Sequence, residues 1–330
     1  MNIVPANKEN IRKAAGIIKS GGLVAFPTET VYGLGANALD PIAVSKIFEI
    51  KKRPFFDPLI VHIASLPDIE FIAAELGETE QKLAQKFWPG PLTLVLRKKS
   101  IIPEIVTAGL PTVAVRMPAS EVARELISAA GVPIAAPSAN LFGRVSPTKA
   151  EHVFAQLGMD VDLILDGGKC EVGIESTIVK IESGRLVLLR HGGLPVEEIE
   201  KATGSTLIIR DNNSSDIKNT ESPGQLPYHY SPVTPIVLVQ DIKNIRFDDN
   251  SKAGLLLFNG SGIDLRFKKV EILSETGNLR EAAANLFSCM HSLDSAGLDI
   301  IYAETIPENG LGKAIMDRLT KAANKKKFNF

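Results

Sequence analysis

The sequence is poor in sulfur, in net charge and in long apolar runs, and each shortage removes a class of protein. Its 330 residues hold two cysteines, Cys170 and Cys289, too few for a disulfide framework or a four-ligand zinc site. Lys and Arg number 37 against 38 Asp and Glu, a net charge of −1. No overall basic field gathers nucleic acid, so an anionic ligand must be caught by a local cluster of cations. The longest apolar runs, such as Leu255 to Phe258, fall far short of the ~20 residues that cross a bilayer. Met1 to Asn10 has no apolar core of the kind a signal peptide carries. No string of the form G-x-x-x-x-G-K-[ST] occurs, which excludes a P-loop. No H-E-x-x-H or paired-cysteine motif marks a tightly held metal. No internal repeat recurs at a period of about 20 to 50 residues.

What is present is ordinary globular material, 45% hydrophobic and 23% charged, at a length that predicts about two domains. The expectation is a soluble, cytoplasmic protein with no membrane-bound part. The clearest composition shift runs from Arg210 to Pro235, where four prolines interrupt any apolar periodicity. Tyr228-His229-Tyr230 sits inside it, and rings have no use in a segment that only spaces two domains. The predicted division is therefore 1–208, a linker over 209–235 that touches a site, and a smaller domain over 236–330.

The first part mixes elements irregularly. A helix is predicted over Ile11 to Ser20, ended by Gly21-Gly22, and a short strand over Leu23 to Phe26. Asp40-Pro41 caps a second helix that runs to about Lys51. Strands are predicted at Leu59–Ile63, Leu92–Leu96, Thr112–Arg116, Ile134–Ala136, Leu163–Asp166, Thr177–Ile181 and Leu186–Leu189. Several follow one another without helices, so the sheet is expected to be mixed. After Pro235 the pattern becomes regular: strands at Ile236–Val239, Gly254–Phe258 and Val270–Leu273, a helix over Leu279–Leu293, a strand at Ile300–Ala303 and a helix over Gly312–Ala323. That alternation predicts a small parallel-sheet domain, with the Lys325-Lys326-Lys327 tail as a solvated end.

Gly33-Leu34-Gly35-Ala36-Asn37-Ala38 fits a dinucleotide fingerprint, but Pro27 to Thr30 breaks the preceding strand and Asp40-Pro41 restarts the helix too late for such a turn. Pro27 to Gly35 instead reads as a loop between strand and helix that offers two hydroxyls, a carboxylate, a phenol and close-approach glycines. Lys51-Lys52-Arg53-Pro54 ends the Asp40 helix, where cations also suit the helix dipole; the rigid Phe55 to Pro58 turn after it would fix a lysine and an arginine for a polyphosphate. His62 lies in an apolar strand and fits a core histidine as well as a ligand. Arg116 closes a strand of small apolar residues and needs a carboxylate, internal or on a ligand. Ser138 and Asn140 follow a strand, and they offer hydrogen bonds rather than a hydrolase nucleophile, since no G-x-S-x-G elbow surrounds them. Asp166-Gly167-Gly168 and His191-Gly192-Gly193 end strands with backbone that a ligand can approach. A small anionic ligand fits these features; its reaction does not follow from them.

Taken together, Pro27-Thr28-Glu29-Thr30-Val31-Tyr32-Gly33-Leu34, Lys51-x-Arg53-Pro54, Ser138-x-Asn140 and Ser222-Pro223-Gly224 to His229-Tyr230-Ser231-Pro232 resemble the YrdC-type threonylcarbamoyl-AMP synthases. Gly310-Leu311-Gly312-Lys313-Ala314-Ile315-Met316-Asp317-Arg318-Leu319 is similar to the end of that family's long, two-domain form. The resemblance implies a twisted open mixed α/β sheet with a positively charged concave face, joined by a linker to a smaller Rossmann-like parallel α/β domain. It also implies an enzyme that makes threonylcarbamoyl-AMP and pyrophosphate from L-threonine, bicarbonate or CO2, and ATP with Mg2+, with no protein-held metal. A downstream threonylcarbamoyl transferase complex would pass the group to tRNA next to the anticodon.

Carried onto this chain, the resemblance assigns Thr30, His62, Arg116, Ser138 and Thr177 to threonine, and Arg53, Asp57, Thr112, Ala136, Ser146, Arg190 and Tyr230 to ATP. Lys51 and Arg53 become the catalytic cations, with Tyr32, Asn140 and His229 as secondary candidates. Asp57 departs from the asparagine the family commonly has there, and its carboxylate would repel phosphates unless Mg2+ intervened. Two other readings stay open on the sequence: an RNA-binding module whose basic concave face grips tRNA or double-stranded RNA, and an enzyme handling another carbamoyl group.

Overall fold

The computed structural model describes residues 2–74, 76–209, 220–246, 251–260 and 266–324. Among these, eleven strands form one sheet: β1 (Ile3–Pro5), β2 (Val24–Pro27), β3 (Tyr32–Asn37), β4 (Ile60–His62), β5 (Leu92–Arg97), β6 (Thr112–Arg116), β7 (Ile134–Ala135), β8 (Leu163–Asp166), β9 (Thr177–Glu182), β10 (Arg185–Arg190) and β11 (Ile208–Ile209). Their order is β1-β8-β2-β3-β7-β4-β6-β5-β9-β10-β11. Parallel pairs such as β4 with β6 alternate with antiparallel ones such as β5 with β6 and β9 with β10. The sheet is mixed, as the run of strands without intervening helices predicts.

Helices cover the sheet because their apolar spacing leaves one face to bury. In the helix Lys8–Lys19, Asn7 caps the start by accepting from the Asn10 amide, and Ile11, Ala14, Ala15 and Ile18 turn inward at helical spacing. It packs with Glu121–Ala130 over Val24, Phe26, Leu163 and Leu165. Asp40 caps Pro41–Lys51 by accepting from the Ile42 and Ala43 amides, as its Asp-Pro start predicts. That helix joins the largest core, which includes Val61, Leu94, Val113 and Val115. Side chains alternate along a strand, so Ile60, Ala114 and Val95 point to the opposite face. On β6 that face also receives Arg116, which is how an arginine enters a strand of small apolar residues.

One expectation is corrected. Pro27 to Gly35 is not a loop leading to a helix: β2 and β3 form a hairpin, with Val24 opposite Gly35 and Pro27 opposite Tyr32. The Thr28 hydroxyl closes the turn, donating to the Val31 carbonyl at 2.7 Å and accepting from the Thr30 and Val31 amides. Gly35 permits the pairing, since a Cβ there would lie 2.7 Å from the Phe26 ring.

The second sheet is smaller and wholly parallel: β12 (Ile236–Val239), β13 (Ala253–Leu257), β14 (Lys269–Ile272) and β15 (Ile300–Glu304), in the order β12-β15-β13-β14. Helices Leu279–Asp294 and Leu311–Ala323 flank it. The two sheets do not stand apart. Val31, Val145, Ile174 and Tyr230 share one apolar cluster with Leu286, Phe287, Ile315 and Leu319. Gly173, at a φ of +73°, makes this contact possible: a Cβ there would sit 2.5 Å from the Ala284 Cα. The Arg210 end of the expected linker and the Lys325–Lys327 tail lie outside the described residues.

Candidate functional site

His62 and Arg116 end neighbouring parallel strands and are register partners. Both are buried, and both line a cavity closed by the Thr28–Val31 turn, Ala136-Pro137-Ser138, Glu175-Ser176, Arg190 and the segment Pro223 to Tyr230. Arg116 forms an ion pair with Glu29 at 2.6 Å and donates to the Thr30 hydroxyl at 2.8 Å and the Gly90 carbonyl at 3.2 Å. The buried-arginine problem thus has an internal partner. Burial first, then the Arg116 charge, lowers the His62 pKa to about 3. Its imidazole is neutral at neutral pH.

Arg53 is held by the turn that follows it. It pairs with Asp57 at 2.9 Å and donates to the carbonyls of Asp57 and Pro58. Asp57, the departure from the family pattern, therefore fixes an arginine; burial raises its pKa, opposed by Arg53, Lys51 and Arg190. Lys51 is 1% exposed and donates to the Ser138 carbonyl at 2.6 Å and to the Asn140 carbonyl. It lies behind the cavity wall rather than on it, bracing the Ser138–Asn140 loop, and burial followed by the Arg53 charge pushes its pKa well down.

Arg190 is buried too, but its partners are neutral: the Ser176 carbonyl at 2.9 and 3.1 Å, the Ser176 hydroxyl at 3.1 Å and the Pro223 carbonyl at 3.3 Å. Among the described residues, neither Arg190 nor Lys51 has a carboxylate within ion-pair distance. Four buried cations, Lys51, Arg53, Arg116 and Arg190, thus meet three buried carboxylates, Glu29, Asp57 and Glu175. Of these, Glu175 is engaged by Arg318 at 3.1 Å. Hydrogen bonds to carbonyls satisfy a guanidinium's donors but leave its charge uncompensated in a poorly solvated place.

The remaining candidates divide by position. Thr30, Arg53, Ala136, Ser138, His229 and Tyr230 line the cavity with His62, Arg116 and Arg190. Ser146 is one step behind, with its hydroxyl on Glu175 at 2.5 Å. Thr177 is fully buried and commits its hydroxyl to the Leu194 backbone at 2.6 Å. Tyr32 donates to the Gly168 carbonyl at 2.8 Å, and the Asn140 amide holds the Leu141 and Arg144 carbonyls; neither lines the cavity. Thr112 shares the face of Arg116 but opens the strand that Arg116 closes, roughly 13 Å away at ~3.3 Å per residue. Glu29, Glu175, Ser176 and Arg318 also belong to the site, though none was given a role from the sequence: Glu29 counted only as the carboxylate of the Pro27–Gly35 loop and Arg318 only as part of the terminal motif.

Tyr230 takes a φ of +63°, a left-handed conformation that costs a non-glycine residue about 1–2 kcal/mol. It is held there by rings on two sides, His229 at 4.1 Å and Phe287 at 5.6 Å between centroids. With this segment in place the cavity encloses ≈ 50 Å³, room for a few waters, whereas sites for drug-sized ligands run to ~300 Å³ or more. A larger groove of ≈ 1040 Å³ lies between the Lys8–Lys19 and Glu121–Ala130 helices. It carries Lys8, Arg12 and Arg124 against Asp68, Glu121 and Glu125, a charge balance that selects no anion.

A Sua5/YciO/YrdC family model, described as telomere recombination, matches residues 16–192. A second, described as the threonylcarbamoyl-AMP synthase C-terminal domain, matches residues 194–324. A threonylcarbamoyl-AMP synthase of Pyrococcus abyssi is 44% identical over 95% of this chain and 94% of its own, and one of Bacillus subtilis is 40% identical over 96% and 94%. A crystal structure of the P. abyssi Sua5 protein complexed with L-threonine superposes with a TM-score of 0.89 at 44% identity, covering 97% of this chain and 96% of that one.

Proposed function

The chain belongs to the Sua5/YciO/YrdC family, and from that premise we propose that it is a threonylcarbamoyl-AMP synthase, a nucleotidyltransferase that joins L-threonine, bicarbonate or CO2, and ATP into threonylcarbamoyl-AMP and pyrophosphate. Arg190 carries the assignment: a buried arginine on the cavity wall with no carboxylate partner among the described residues, whose missing counter-charge a polyphosphate would supply.

Arg116 binds the threonine carboxylate, sharing its planar fork between that group and Glu29. Thr30 and Ser138 offer hydroxyls beside it, and neutral His62 accepts a hydrogen bond from the amine. The amine nitrogen forms a bond to the carbon of CO2 and gives up a proton, leaving a carbamate. A carbamate oxygen then attacks the α-phosphorus as the bond from that phosphorus to the pyrophosphate oxygen breaks. Arg53 and Arg190 stabilise the negative charge that spreads over the phosphate oxygens. The Pro223–Tyr230 segment opens to admit ATP and closes over it, keeping water from a carbamate that would otherwise decompose.

Magnesium travels with ATP as a substrate ion. Among the described residues no cluster of His, Cys, Asp or Glu is placed to hold a metal, and Glu29, Asp57 and Glu175 are each engaged by an arginine. The product is a reactive mixed anhydride, and family membership implies that a separate transferase passes its threonylcarbamoyl group to tRNA beside the anticodon in the cytoplasm. The RNA-binding reading lacks support: the cations are buried and turned inward, where a nucleic-acid backbone does not reach them. No helix among the described residues is long and apolar enough to cross a membrane.

The test is to incubate the protein with MgATP, bicarbonate and either threonine or serine. Threonine-dependent pyrophosphate and the mixed anhydride are expected. Pyrophosphate release that ignores the amino acid rejects the assignment.

A further inference from the structure

Arg53, Arg116 and Arg190 line the cavity and Lys51 lies behind its wall, yet a fifth buried cation stands behind the cavity and comes from the other sheet's final helix. Arg318, on Leu311–Ala323, is 0% exposed. Its Nε meets Glu175 at 3.1 Å, and its Nη1 donates to the His191 carbonyl at 2.6 Å and to Asp317 at 3.0 Å. The guanidinium lies 5.2 Å from the centroid of the Tyr230 ring. It therefore touches two walls at once. One is Glu175, whose other carboxylate oxygen accepts from Ser146 and whose neighbour Ser176 holds Arg190. The other is Tyr230, in its left-handed backbone conformation. The next turn of the same helix secures the rest of the segment: Lys321 donates to the Gly224 carbonyl at 2.8 Å, and the Ser231 hydroxyl donates to the Ala322 carbonyl at 3.2 Å.

An arginine that only joined two domains would satisfy a carboxylate at their rim. This one is fully desolvated and stacks on a cavity-lining ring. We infer that Arg318 is a positioning residue for catalysis: it orients the Glu175–Ser146 pair and holds Tyr230 over the cavity, so the second domain completes the nucleotide side of the site. This rests on the threonylcarbamoyl-AMP synthase reading for its kinetic consequence, but not for its structural one. Arg318 does not touch the threonine side, where Arg116, His62 and Thr30 are supplied by the large sheet alone.

The test uses the full-length chain and pairs Arg318→Met with Glu175→Gln, which removes both charges and strands neither, alongside Arg318→Lys, which keeps the charge and loses the planar fork. In steady-state pyrophosphate release the double variant is expected to raise KM for ATP, or lower kcat, on the order of tenfold to a hundredfold, with KM for threonine unchanged. Arg318→Lys should fall between it and wild type. Hydrogen exchange gives a readout that needs no turnover: amides of residues 223–231 should exchange faster in the double variant, while those of β5 stay protected. Wild-type ATP kinetics in the double variant would overturn the inference. So would equal rises in KM for both substrates, or exchange that accelerates uniformly across both sheets. If the wild-type enzyme releases no threonine-dependent pyrophosphate, the synthase reading fails by itself, and the exchange experiment still decides what Arg318 does.

Discussion

The two sheets solve different problems. The small one is parallel throughout, its strands and helices alternate, and its buried side chains are mostly apolar, with Arg318 the outstanding exception. The large one mixes parallel and antiparallel pairs, breaks its strands with short turns, and buries Lys51, Arg53, His62, Arg116 and Arg190. In the small sheet every strand runs the same way, whereas the large one mixes both directions. The β2–β3 hairpin and the parallel β4–β6 pair bring Thr30, His62 and Arg116 together because the Thr28–Val31 turn lies beside the ends of β4 and β6.

The sharpest way to break this contrast is on the large sheet. Replacing Arg116 by Ala with Glu29 by Gln leaves no stranded carboxylate, and kcat/KM for threonine should drop on the order of a hundredfold to a thousandfold, read from pyrophosphate release. Turnover near wild type at low threonine would remove Arg116 from the substrate. On the small sheet the corresponding change is one of packing. Leu286→Ala, in the apolar cluster shared by the two sheets, should cost about 2–5 kcal/mol in denaturant unfolding. A loss under about 1 kcal/mol would mean that this cluster is not close-packed.

A third test compares charge states within the site. His62 titrates near 3 in the folded chain against an ordinary 6.5, so the unfolded chain binds a proton that the folded one refuses. The stability this contributes is fully present above pH ~6.5 and is lost as pH falls toward 3, at roughly 1.4 kcal/mol per pH unit. Unfolding free energies at pH 7 and pH 5, from denaturant titrations, should therefore differ by about 2 kcal/mol less in His62→Asn than in wild type. Equal pH slopes in the two proteins would show that His62 is not the group responsible. The smallest effect is expected at Lys313–Glu197, an ion pair between the two units at 2.7 Å whose side chains are 34% and 48% exposed. Lys313→Ala should change stability by less than about 1 kcal/mol, and a larger loss by calorimetry would mean that rim charges, and not the apolar cluster, hold the sheets together.

Much of this arrangement was legible beforehand, and unevenly. The helix after Asp40 announces itself through its cap, the first helix through its apolar spacing and the Gly21-Gly22 stop, though its Asn7 cap went unread, and the strands Thr112–Arg116 and Leu163–Asp166 through short apolar runs bounded by turns. The need of Arg116 for a carboxylate was legible because a guanidinium in such a strand needs explaining, and Glu29 meets it. The β2–β3 hairpin was not, since Pro27 and two glycines look like a break until Phe26 is seen packing against Gly35. Thr112 and Thr177 were named only through the family resemblance; in the structure Thr112 opens the strand that Arg116 closes and Thr177 commits its hydroxyl to the Leu194 backbone.

The local pattern by itself determined the mixed sheet, the smaller parallel sheet and the presence of several cations near strand ends, because periodicity, caps and composition act over a few residues. Only the tertiary structure decided which of those cations share a cavity, that Asp57 and Glu29 hold their arginines in place, and that Arg318 reaches Glu175 from 143 positions away. Burial is the physical reason: a charge's need for a partner is written in the sequence, but the partner is chosen by whichever chain segment the fold brings alongside.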